Sequence, residues 1–126
     1  MPVDHKDQRA DRTQWKLIAL LTGKAKSFGP HGEPSGILKQ PCSGGVYVQK
    51  AGISGDEQGD LVRHGGVEKA VHHYAFDHYS AWRDELPGSA PLFGQPGVFG
   101  ENFSFLGMTD GNVYVEDIFH VGNAVL

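Results

Sequence analysis

At 126 residues the chain has the length of one domain, enough to bury roughly two-thirds of its unfolded surface. Eleven Lys and Arg against fifteen Asp and Glu give a net charge of −4, which excludes the basic surface of a nucleic-acid binder. A single cysteine excludes an internal disulfide, and no apolar run approaches the roughly 20 residues of a membrane span, so a soluble cytoplasmic protein is expected.

Residues 1–14 mix charges of both signs with little apolar content and are expected to form a flexible tail, leaving 15–126 as the folded domain. Lys16 to Leu21 is a short apolar run closed by Thr22-Gly23, the pattern of a buried strand. Gly29 to Gly36 is a loop by composition, and Ile37 to Lys39 a brief strand ended by Pro41. Val46 to Lys50, β-branched and aromatic, is expected as a strand, followed by a turn-rich connection from Ile53 to Asp60. Lys69 to Tyr74 is expected to resume as a strand, with Ala70, His72 and Tyr74 on one face.

One helix is expected, over about 77–86. Asp77 stands at its N-cap, and Tyr79, Trp82 and Leu86 form a stripe at helical spacing that packs on a sheet. Pro87-Gly88 ends it. Beyond it, Phe99 to Phe105, Val113 to Val115 and Val121 to Leu126 are further short strands separated by Gly, Asn and Asp. Short strands at this spacing argue a mainly β barrel or sandwich.

Polar groups gather around the glycine turns. Asp56 and Gln58 in Gly55-Asp56-Glu57-Gln58-Gly59-Asp60 offer matched acceptors and donors, or serve as turn formers. Arg63 carries a planar fork suited to oxyanions, or is solvated in a loop. His64 precedes Gly65-Gly66, whose backbone N–H groups lie bare; its imidazole titrates near neutrality and either transfers a proton or braces the turn. Glu101 and Asn102 follow Phe99-Gly100, where a bend aims them inward at a ligand or caps a barrel corner. His72 and His73, adjacent on a strand, point to opposite faces and cannot jointly grip one metal.

Gly55-Asp56-Glu57-Gln58-Gly59-Asp60, His64-Gly65-Gly66, Lys69-Ala70-Val71, Tyr74, Tyr79, Trp82, Phe99-Gly100-Glu101-Asn102 and Asn112-Val113-Tyr114 with Asp117, in this order, resemble the MOSC domain, nearest its stand-alone YiiM-like branch. The resemblance covers about Gly23 to Leu126. It implies a β-barrel that binds the molybdenum cofactor, molybdopterin, through a cysteine thiolate, and reduces N-hydroxylated compounds such as hydroxylaminopurines with the help of an electron donor. On that footing His64 is the proton donor, and Asp56, Gln58, Arg63, Gly65, Gly66, Glu101 and Asn102 contact the cofactor.

The family's cysteine follows one strand after a segment like Gly122-Asn123-Ala124-Val125-Leu126. Cys42 lies in a different context and inherits no metal role. The chain is therefore expected to be the N-terminal portion of a MOSC barrel, incomplete at its C-terminus. Cofactor retention is then weak or absent, and an open barrel edge invites a homo-oligomer. The rival expectation is a catalytically silent binding module on the same scaffold.

Overall fold

The computed structural model describes residues 15–59 and 65–126; the expected tail and the segment carrying Asp60, Arg63 and His64 lie outside them. Strand β1 (Lys16–Thr22) is the centre of the architecture. It pairs antiparallel with β4 (Gln40–Pro41) through Leu21–Pro41 and Thr22–Gln40, and with β7 (Phe103–Leu106) through contacts from Lys16–Leu106 to Leu20–Phe103. The register slips between Leu17 and Ala19, a bulge that sends Leu21 into the core while Leu17 remains exposed.

Three two-stranded ribbons complete the strand content. They are β2 (Lys26–Phe28) with β3 (Glu33–Ser35), β5 (Val48–Gln49) with β6 (Gly52–Ile53), and β8 (His120–Val121) with β9 (Ala124–Val125). Strands outnumber helices, as expected of a mainly β chain. Among the described residues they do not close into a barrel.

Several local expectations are corrected. The stretch 29–36, expected as a loop, contributes β3 to a hairpin, because Pro34 needs no ladder donor at an edge position. The strand expected at 37–39 moves to 40–41, where Pro41 and Gln40 reach β1; Ile37 and Leu38 are exposed instead. Residues Val67–Lys69 form a 3-10 turn, and the extended strand expected from Lys69 begins only near His72. From there the chain runs parallel to β7: Tyr74 N donates to Phe103 O (3.0 Å) and Phe76 N to Phe105 O (2.8 Å). Val113 to Val115 forms no strand, and the single strand expected over 121–126 folds back as the β8–β9 hairpin at a Gly122 with φ 59°.

Helix α1 (His78–Glu85) is present, one residue shorter at each end than expected. Asp77 does not cap it; its carboxylate accepts from Gly107 N (2.9 Å) and so ties the helix start to the end of β7. Tyr79 is fully buried, Trp82 half-buried and Leu86 46% exposed, so the packing face is narrower than the spacing implied. A 3-10 segment (Pro87–Gly94) then returns Phe93 to the core. The rings of Tyr79, Trp82, Phe93 and Phe99 meet there, with centroids 5.5–6.3 Å apart.

Candidate functional site

The site is built where β1 ends. Gly55, at φ 93°, turns the chain so that Asp56 N closes on Ile53 O (3.0 Å) and the Asp56 side chain points back toward Gly23. Asp56 Oδ1 accepts from Gly23 N (2.8 Å) and Lys39 Nζ (2.6 Å), and Oδ2 accepts from Asn102 Nδ2 (3.0 Å). The Lys39 and Asp56 side chains are 6% and 1% exposed, so this ion pair is held out of water.

Asn102 binds the segments together. Its Nδ2 also donates to Leu21 O (3.0 Å), its Oδ1 accepts from His72 N (3.0 Å), and its backbone N donates to His72 O (2.7 Å). One amide thus joins β1, the Asp56 turn and the segment entering beside β7. Every polar atom of that side chain is used in doing so.

Above this floor opens a cleft of about 770 Å³. Its walls come from residues 33–37, 56–59, and Lys69, Val71, His72, Phe99 and Gly100. The walls approach one another closely because glycines stand at the crossings. A Cβ on Gly36 would lie 2.0 Å from Glu57 O, and one on Gly59 2.0 Å from Pro34 O. Larger residues there would force the hairpin and the Asp56 turn apart.

Of the residues that the sequence proposes, Asp56, Gln58 and Asn102 line this cleft together. Glu101 turns the other way. It is fully buried, with Tyr79 Oη (2.5 Å) and Ser104 Oγ (2.7 Å) donating to Oε2 and Phe99 N (3.1 Å) to Oε1. Burial pushes its carboxyl up, but these donors outweigh it and hold the group below the ordinary Glu value. The same burial, with the neighbouring carboxylate, raises the Tyr79 phenol. The bend at these two residues sends their side chains apart, so Glu101 serves the core and Asn102 the cleft. Gly65 and Gly66 are described but do not line the cleft, and Arg63 and His64 lie outside the described residues.

Lys39 is the residue the sequence hid. It stands between Leu38 and Gln40 with no motif around it, and only the close approach of Leu38 to Gly23, just past β1, brings it to Asp56. His72 lines the cleft, while His73 is held by Phe103 O (3.1 Å) and Met108 O (2.8 Å). Cys42 does not line the cleft; its Sγ lies 3.3 Å from Thr22 Oγ1. Among the described residues no group of three or more His, Cys, Asp or Glu is placed to hold a metal, and no helix is long and apolar enough to cross a membrane.

Comparison with known proteins agrees with the arrangement of these segments. The MOSC domain family model matches residues 60–126. The chain is 41% identical over 109 residues to protein YiiM of Escherichia coli (strain K12), covering 86% of this chain and 48% of that protein. It is 38% identical over 125 residues to a protein named reductase from Gibberella moniliformis, covering 98% of this chain and 22% of that one. A crystal structure of a hypothetical protein superposes with a TM-score of 0.70 at 36% identity, over 92% of this chain and 46% of the other. The chain therefore spans about half the length of YiiM and less of the fungal protein.

Proposed function

We propose that this chain, which belongs to the MOSC domain family, forms the cofactor-facing floor of a molybdopterin-binding cleft and takes part in reduction of N-hydroxylated compounds. The observation that carries the reading is the convergence of Asp56, Lys39 and Asn102 beneath a cleft of about 770 Å³, a volume suited to a small polar molecule.

The residues present fit the organic part of the cofactor. Gln58 offers an amide donor and acceptor, His72 an imidazole and Lys39 an ammonium, all on cleft walls. They do not fit the metal, because a thiolate is the ligand the family uses and Cys42 is placed elsewhere. When bound, the cofactor would supply the electrons for reduction of an N-hydroxyl compound, with Gln58, His72 and Lys39 facing its organic part. The chain's own part is to hold the ligand against the Asp56–Asn102 floor and to shield it between the 33–37 and 99–102 walls. In this reading His64 would supply a proton for that reduction.

Expression in a host that makes the cofactor tests the reading, with bound molybdenum and the fluorescent oxidation product of the pterin both measured. Pterin retained by the wild type and lost in Asn102→Ala supports it. Pterin content no higher in the wild type than in Asn102→Ala overturns it.

A further inference from the structure

We propose that Tyr79 and Glu101 are positioning residues for the cleft: together they hold the bend at 97–100 in the conformation that walls it, so ligand retention depends on two side chains that do not line the cleft. The inference rests on the cleft being a ligand site, as proposed above, and adds the part of the core that shapes it.

Three successive backbone N–H groups of the bend end on this pair. Gly97 N (3.0 Å) and Val98 N (3.1 Å) donate to Tyr79 Oη, and Phe99 N (3.1 Å) donates to Glu101 Oε1. The phenol in turn donates to Glu101 Oε2, so its one proton and both lone pairs are used. Gly97 at φ 103° and Gly100 at φ 72° take the left-handed conformations that turn the bend, and Gly100 N closes it on Gly97 O (3.2 Å). Successive N–H groups in such a turn form a concave anion site, and here a carboxylate and a phenol of the chain itself fill it.

As core packing alone the pair is costly. Both side chains are fully buried, and apolar residues would fill the space without desolvating a charge. What the polar pair adds is an acceptor for each N–H group of a half-buried bend. The effect reaches the cleft along the chain. Glu101 is flanked by Gly100 and Asn102, and these two line the cleft with Phe99. The bend has little room to shift: a Cβ on Gly100 would lie 2.8 Å from Ile37 Cγ1 on the facing wall, and one on Gly97 3.0 Å from Leu21 Cδ2. Ser104 Oγ (2.7 Å) also donates to Glu101 Oε2, but reaches the carboxylate from β7 and not from the bend.

Pterin retention in a cofactor-making host, read beside thermal melts, tests the assignment in three variants. Tyr79→Phe keeps the ring and removes only the hydroxyl. Glu101→Gln can accept from the phenol or from Phe99 N, but not from both. Ser104→Ala is the control, which weakens the same buried carboxylate without touching the bend. The first two are each expected to lower the pterin content of folded protein at least about fivefold, and Ser104→Ala to leave it within about twofold of the wild type. A merely structural role would rank pterin content by melting temperature across all three. Native-state hydrogen exchange of the wild type needs neither variant nor ligand, and it decides if a variant fails to fold. The amides of Gly97, Val98, Phe99 and Gly100 are expected to open together, with the urea dependence of the β7 amides. Independent, faster exchange of the bend amides overturns the proposal, as does pterin held by folded Tyr79→Phe at the wild-type level, or pterin loss that follows melting temperature alone. A wild type that holds no pterin, but whose bend exchanges with β7, overturns the cofactor reading alone.

Discussion

Asn102 and Asp56, 46 positions apart, are joined by a hydrogen bond of 3.0 Å from Nδ2 to Oδ2. That bond closes the floor of the cleft, because the same Asn102 amide holds Leu21 O and His72 N. The turn after Phe99-Gly100 and the turn after Gly55 therefore cannot shift independently.

The substitution Asn102→Asp is isosteric and probes this directly. It keeps an acceptor for His72 N but removes the donor to Leu21 O and sets a second carboxylate against Asp56. Leaving buried groups unpaired costs about 1–3 kcal/mol each, so a loss of about 2–4 kcal/mol at pH 7 is expected in urea unfolding. Part of the loss should return on mild acidification, when the two carboxyls share a proton. A stability equal to the wild type across that range would show that the Asn102 bonds carry no weight.

Glu101 sets a second, separate pH dependence. Its folded pKa lies below the ordinary value, so its contribution is present above the unfolded pKa and is lost as pH falls through the folded one. The wild type should therefore lose stability in acid below the ordinary carboxylate range. Glu101→Gln should cost about 2 kcal/mol at neutral pH, where charged hydrogen bonds from Tyr79 and Ser104 are lost, and should flatten the acid slope. Coincident acid slopes in urea titrations of the two proteins would remove Glu101 from this role.

Within α1 the stripe divides unevenly. Trp82 is half-buried, with Nε1 donating to Tyr74 Oη at 2.8 Å and its ring near Phe93 and Phe99. Trp82→Ala should cost about 2–3 kcal/mol, below the range of a fully buried aromatic. Leu86, at 46% exposure, should cost under about 1 kcal/mol as Leu86→Ala. Chemical denaturation that ranks Leu86→Ala as the more damaging would mean that the helix packs through its C-terminal end.

Local chemistry in the sequence determined the strand at Lys16–Thr22, the helix stopped by Pro87, the opposite faces of His72 and His73, and the glycine turns that bring polar groups to one place. Each depends on neighbours within a few positions, so periodicity and backbone preference suffice to read it. The family was legible too, because its motifs are local strings in a fixed order. Tertiary structure alone decided that Asn102 faces the cleft while Glu101 is spent in the core, since both sit in one bend and only the partners Tyr79, Ser104 and Asp56 distinguish them. It also decided that Lys39 reaches Asp56, that Asp77 binds Gly107 instead of capping a helix, and that 121–126 folds back on itself. These outcomes are set by hydrogen bonds between segments far apart in the chain, and such partners leave no periodic trace in the residues beside them.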